Sequence, residues 1–170
     1  GAILGLLALH ARTGQKDLLE RAATCGERLL AARTSVGNGA AWRAADGRLY
    51  VGFAHGAAGI GLALVRLSRA TGRQDFLDAA GAAHRFERRS YLPDQRNWPV
   101  AVEDSAGAVE MMTAWCHGAP GLALARTKAA TALRDRSLLN GIDGALKTTG
   151  AVPVRLDDHL CCGSMGRSDV

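Results

Sequence analysis

At 170 residues, 48% of them hydrophobic, the chain is long enough for one domain with one sizeable core. Aromatic residues make up only 5% while Ala, Leu and Gly dominate, which disfavours a sheet protein and favours closely packed helices. The net charge of +5 comes almost entirely from arginines scattered singly among acidic residues, which reads as solvated helix faces. Without a concentrated basic run and interleaved aromatics no nucleic-acid partner is expected, and without about 20 consecutive apolar residues no membrane span is expected. No charged-then-apolar leader opens the chain, so a cytoplasmic location is the default. The chain starts at Gly1 without a methionine and stops at Val170 just after a Gly-rich motif, so residues 1–170 are expected to be a fragment truncated at both ends.

In chain order, the first element is the apolar segment Gly1-Ala-Ile-Leu-Gly-Leu-Leu-Ala-Leu9. A Thr13-Gly14 turn follows, then a second helical segment with Glu20, Arg21, Glu27 and Arg28. The stretch Gly37 to Ala54 is rich in turn residues, and Asp46-Gly47 between Ala41-Trp42-Arg43 and Leu49-Tyr50-Val51 predicts a two-residue hairpin. The apolar pattern returns at Gly59-Ile-Gly-Leu-Ala-Leu64, again with a Thr71-Gly72 turn and a charged partner carrying Asp78, Arg85, Glu87 and Arg88. A second loop, Tyr91 to Asp104, contains Asn97-Trp98-Pro99, whose proline biases Trp98 to an extended shape. Gly121-Leu-Ala-Leu-Ala125 begins a third unit, and Gly166 marks a fourth.

These units are one repeat: Thr13-Gly-Gln-Lys-Asp-Leu-Leu19 lies 58 positions before Thr71-Gly-Arg-Gln-Asp-Phe-Leu77. In each, an almost wholly apolar helix must be enclosed while its partner, with a charged stripe, can face water. The fold class is therefore all-α, a double layer of helix-pair repeats that forms either an open solenoid or a closed ring.

Directly before the aligned glycines stand Ala54-His55-Gly56, Trp115-Cys116-His117-Gly118 and Leu160-Cys161-Cys162-Gly163. In a curved array these positions converge on one rim, and three thiols with imidazoles make a zinc-type donor set. Two other readings stay open: small core cysteines, and a disulfide, against which the clustering of the thiols argues. Cys25 is read as a core residue, because its repeat equivalent is Ala83.

The strings Gly52-Phe-Ala-His55-Gly-Ala-Ala-Gly59, Trp115-Cys116-His-Gly-Ala-Pro-Gly121 and His159-Leu-Cys161-Cys162-Gly-Ser-Met-Gly166 resemble the lanthionine synthetase cyclase family. The similarity is to the cyclase half of the bifunctional class II enzymes in particular, and covers most of the chain. It implies an α,α-toroid with a zinc ion at the rim of its central cavity, held here by Cys116, Cys161 and Cys162. Many members have His where Cys162 stands. The resemblance also implies that His55 is catalytic, against a bland role in capping or packing at a helix start. His117, following a ligand, is read as a pocket residue, while His10, His84 and His159 are given no chemistry.

The implied activity is closure of lanthionine and methyllanthionine rings, in which a peptide cysteine thiol adds to dehydroalanine or dehydrobutyrine. The implied partners are a dehydrated lanthipeptide precursor and a dehydratase domain in the same full-length chain, with an acidic active-site residue upstream of Gly1. The alternatives are a non-catalytic module binding zinc and thiol peptides, and a glycosidase-type toroid, whose required pair of cleft carboxylates is not apparent.

Overall fold

The computed structural model describes residues 1–102, 109–154 and 158–168, so Asp104 of the second loop lies outside the described residues. Three helix pairs follow one another: α1 (Ala2–Thr13) with α2 (Lys16–Ala32), α3 (Ala57–Thr71) with α4 (Gln74–Arg89), and α5 (Ala119–Leu133) with α6 (Ile142–Gly150). A short α7 (Ser164–Ser168) begins a fourth. Gly14 and Gly72 end the first two leading helices in the left-handed conformation at φ 70° and 73°, their amides donating to the carbonyls of His10 and Ser68. The third unit lacks the Thr-Gly turn. Arg134 takes the left-handed position at φ 51°, and a 3-10 turn over Arg136–Leu139, capped by the Asp135 side chain, leads into α6.

The leading helices α1, α3 and α5 pack side by side, and each packs against its own trailing helix. In the middle unit α3 buries Ala58, Leu64, Val65 and Leu67 against Phe76, Ala80, Ala83 and Phe86 of α4. Enclosure is therefore far fuller for α3, where Arg66, Arg69 and Ala70 are the exposed residues, than for α1, which buries only Ile3 and leaves Leu9 52% exposed. The reason is neighbours: α3 lies among α1, α2, α4 and α5, whereas α1 packs on α2 and α3.

Strand structure is slight and differs from the expected hairpin. Around Asp46-Gly47 the chain makes one bridge, Arg43 with Leu49, closed by amide donation from Ala44 to the Arg48 carbonyl. The longer pairing is β1 (Arg33–Val36) with β2 (Gly39–Trp42), of which β1 precedes and β2 lies inside the stretch read as loop from Gly37. Burial against α2 and α4 explains the shift. All of β2 is buried, the Trp42 indole donates to the Leu29 carbonyl, and a side chain at Gly39 would overlap the Phe86 backbone. The strand β3 (Leu49–Tyr50) pairs instead with β4 (Ala101–Val102), drawing the second loop to the end of the molecule where the leading helices begin.

That end has a repeated construction. Gly59, Gly121 and Gly166 are each the third residue of their helix. At all three a methyl group would overlap the carbonyl oxygen of the residue six positions earlier, namely Phe53, Trp115 and Leu160. Each loop thus folds directly over the first turn of its helix, which only a residue without Cβ permits.

Candidate functional site

Backbone hydrogen bonds tie the three motif loops into a series. The Cys116 carbonyl accepts from the amides of Phe53 and Ala54 at 2.9 and 3.1 Å, and the Cys161 carbonyl accepts from the Cys116 amide at 3.3 Å. Aromatic packing follows the same step, with Phe53 against Gly121, Trp115 against Gly166, and the two rings in an edge contact at 5.0 Å.

Cys116, Cys161 and Cys162 are consequently brought together, with their sulfurs all within 4.8 Å of one another. The Cys116–Cys162 separation is 3.7 Å and the Cys161–Cys162 separation 3.4 Å. A tetrahedral zinc with Zn–S bonds of about 2.3 Å needs sulfurs roughly 3.8 Å apart, so this donor set fits the ion in both chemistry and spacing. The thiols are free, not joined as a disulfide. Cys116 is buried while Cys161 and Cys162 are exposed, which leaves the cluster open to solvent on one side. Burial, reinforced by the neighbouring thiols, pushes the Cys116 thiol up to about 12. Cys162 is also raised, chiefly by its hydrogen bond with Cys161. A buried thiol among thiols holds its proton unless a cation takes the proton's place.

The second expected residue, His55, lies exposed in the loop before α3. Its ring stacks on His117 with centroids 5.9 Å apart, and His117 in turn lies 5.8 Å from the Tyr50 ring. His117 is buried, its Nδ1 has no hydrogen-bond partner among the described residues, and burial, followed by the repulsion of His55, holds its pKa below the usual imidazole value. Cys25 behaves as expected for a packing residue, half-buried against the core and remote in sequence from the rim.

Other contacts at this end were not apparent from motifs. The Met112 sulfur sits 3.8 Å from Cys116 Sγ. His159 accepts the Cys162 amide on Nδ1 at 3.3 Å and so holds the Cys-Cys turn. Tyr50 donates to Asp46 at 2.7 Å, and Arg48 pairs with Glu110 at 2.8 Å while lying over the Tyr50 ring. None of these has a motif signal: the Met112, His159 and Tyr50 contacts are local turns of irregular loops, and the Arg48–Glu110 pair joins segments 62 residues apart.

Stacked helix pairs with bare glycine turns at one end and a three-thiol cluster on that rim define a partial α,α-toroid with a candidate metal centre. The profile of the family described as lanthionine synthetase C-like protein matches residues 1–170, and the chain belongs to that family. Among solved structures, nisin cyclase is 21% identical with a TM-score of 0.59, over 72% of this chain and 33% of that one. The likeness shows the fold, and the chain spans about a third of the length of nisin cyclase. No helix among the described residues is long and apolar enough to cross a membrane.

Proposed function

We propose that this chain carries the metal centre and acid–base residue of a lanthionine and methyllanthionine cyclase. The observation that carries the reading is the meeting of Cys116, Cys161 and Cys162 within 4.8 Å on the rim, beside His55 and His117. Those three cysteines would hold zinc, which when bound supplies a fourth position where the peptide's cysteine is kept as a thiolate at neutral pH.

In the reaction a sulfur–carbon bond forms at Cβ of the dehydro residue, its double-bond electrons move toward the carbonyl, and Cα then takes a proton. His55, exposed on the rim, is the residue of this chain placed to move that proton, either onto Cα or from the incoming thiol. His117 stacks on His55 and, as a buried neutral imidazole, sets its position without adding a second charge. The loops over Gly59, Gly121 and Gly166 hold both sets of groups on the same backbone series, which limits the misplacement that slows bimolecular chemistry. A dehydratase domain in the same full-length protein and a cytoplasmic setting that keeps thiols reduced belong to this reading.

The test is cyclisation of a dehydrated precursor peptide by the full-length protein, followed by loss of free thiol, with zinc measured alongside. Ring formation that requires zinc supports the proposal. Zinc and peptide binding without ring formation would replace it with a thiol-binding module.

A further inference from the structure

Charge is divided between the two helix layers. The trailing helices are balanced: α2 and α4 each carry three acidic and three basic residues, and α6 carries Asp143 and Lys147. The leading helices α1, α3 and α5 contain no carboxylate, yet carry Arg12, Arg66, Arg69, Arg126 and Lys128. Arg126 is buried against Glu87 of the other layer, so the remaining cations charge the inner layer alone.

A trough of about 680 Å³ runs along this layer. Its wall is apolar, with Ile3, Phe53, Ile60, Trp115 and Leu124, and among the described residues no Asp or Glu lines it. Three cations do: Arg28 from α2, Arg66 from α3 and Lys128 from α5. None of the three has an ion-pair partner among the described residues. At the helix-start end the trough is lined by Ala54 and Trp115, the chain neighbours of His55 and Cys116. Arg66 and Lys128 stand at equivalent places, each nine residues into its helix. At 1.5 Å per residue they lie about 13 Å from the helix starts. An extended peptide covers that distance in about four residues.

We propose that this trough is a specificity site for the peptide substrate, taking an apolar segment that carries an acidic side chain about four residues from the reacting cysteine. The proposal rests on the cyclase reading and names the substrate class of that same site. All three cations are exposed, so each contributes to a carboxylate what a surface pair does, and together they attract acidic peptides from a distance. The volume lies in the range of ordinary ligand clefts and suits a few residues of peptide.

The experiment uses the full-length protein and synthetic dehydrated peptides with one cysteine and one dehydroalanine, carrying Glu, Gln or Lys at each position from two to seven residues from the cysteine. Binding is read by fluorescence anisotropy of labelled peptides, and ring closure is read separately. A Glu peptide is expected to bind about three- to tenfold tighter than its Gln counterpart, with the largest gain near four residues, and the gain should shrink as salt rises. The double variant Arg66→Gln, Lys128→Gln should abolish that preference, and Arg66→Glu, Lys128→Glu should transfer it to the Lys peptide. Equal binding of Glu and Gln peptides, or a preference that survives both double variants, overturns the proposal. A Glu preference without any ring closure supports the trough while sinking the cyclase reading.

Discussion

Arg126 of α5 and Glu87 of α4 form a buried ion pair that locks the two helix layers together. Arg126 Nε reaches both Glu87 carboxylate oxygens at 3.1 Å, and an Nη2 donor reaches Oε1 at 2.8 Å. Its Nη1 donates to the Asn140 carbonyl, its guanidinium lies over the Trp98 ring, and the Trp98 indole donates to the Glu87 carbonyl. Every donor face of the arginine is thereby used, as a charge removed from water requires. Glu87→Ala should cost about 3–5 kcal/mol, because it leaves the guanidinium buried without its counter-ion. Replacing both partners with Met should recover most of that loss. Urea unfolding checks both, and a single variant as stable as the parent would show the pair to be idle.

The glycines over which the loops fold make a second prediction. At Gly121 a methyl group meets the carbonyl oxygen of Trp115 and the Phe53 side chain, and neither the loop backbone nor the packed ring can withdraw freely. Gly121→Ala should therefore destabilise by about 1–3 kcal/mol and also lower metal affinity, since Trp115 precedes Cys116. Gly150→Ala is the contrasting control: nothing lies within 4 Å of its added carbon, so the fold should be unaffected. Thermal unfolding with metal titration separates the two.

Removal of the metal should change the pH dependence of stability. In the metal-free protein the Cys116 thiol is pushed up to about 12, above the roughly 8.5 of an unfolded cysteine. A raised folded value means the folded state holds the proton more tightly, so this contribution is complete below about pH 8.5 and is lost as pH climbs toward 12. The chelated protein should accordingly lose thermal stability between pH 9 and 11 by way of these thiols, as approximate bounds, and Cys116→Ser should flatten that loss. Zinc at the proposed site would run the other way, competing with protons and weakening as pH falls. Single Ser substitutions at Cys116, Cys161 and Cys162 should each reduce zinc content, whereas Cys25→Ser should keep it. Full zinc retention in all three would end the ligand assignment.

Much of the fold was legible because local rules and the repeat agree. Thr-Gly turns, apolar leading helices and charged trailing ones each follow from short-range chemistry, and the 58-residue offset aligned two of the units. The grouping of three cysteines was legible for the same reason, since equivalent residues of stacked repeats share a rim. Arg134 was not: a left-handed arginine has no signal comparable to glycine. The β3–β4 pairing was hidden because its partners are 51 and 53 residues apart and its strands only two residues long, so tertiary burial decided the register. The charge division was hidden too. Along the chain the arginines alternate with acids, and only the assignment of helices to layers shows that no carboxylate falls on the leading ones.

The last prediction concerns His55. It stands exposed at the rim with its ring stacked on His117 at 5.9 Å, and among the described residues no hydrogen bond joins it to a thiol of the cluster. Zinc retention and proton movement should therefore separate at this residue. His55→Asn should keep the metal and the fold, because the side chain is solvent-facing, yet slow ring closure by about 10² to 10⁴, the usual range for a general acid or base. Cys162→His should be milder in rate. It exchanges an anionic ligand for a neutral one and raises the charge of the site by one, leaving the bound thiolate less reactive while the metal stays. The measurement is loss of free thiol from a dehydrated precursor peptide, with zinc content taken for each variant of the full-length protein. Cyclisation by His55→Asn at the parental rate, with zinc in place, would make His55 structural and move the proton to water or His117.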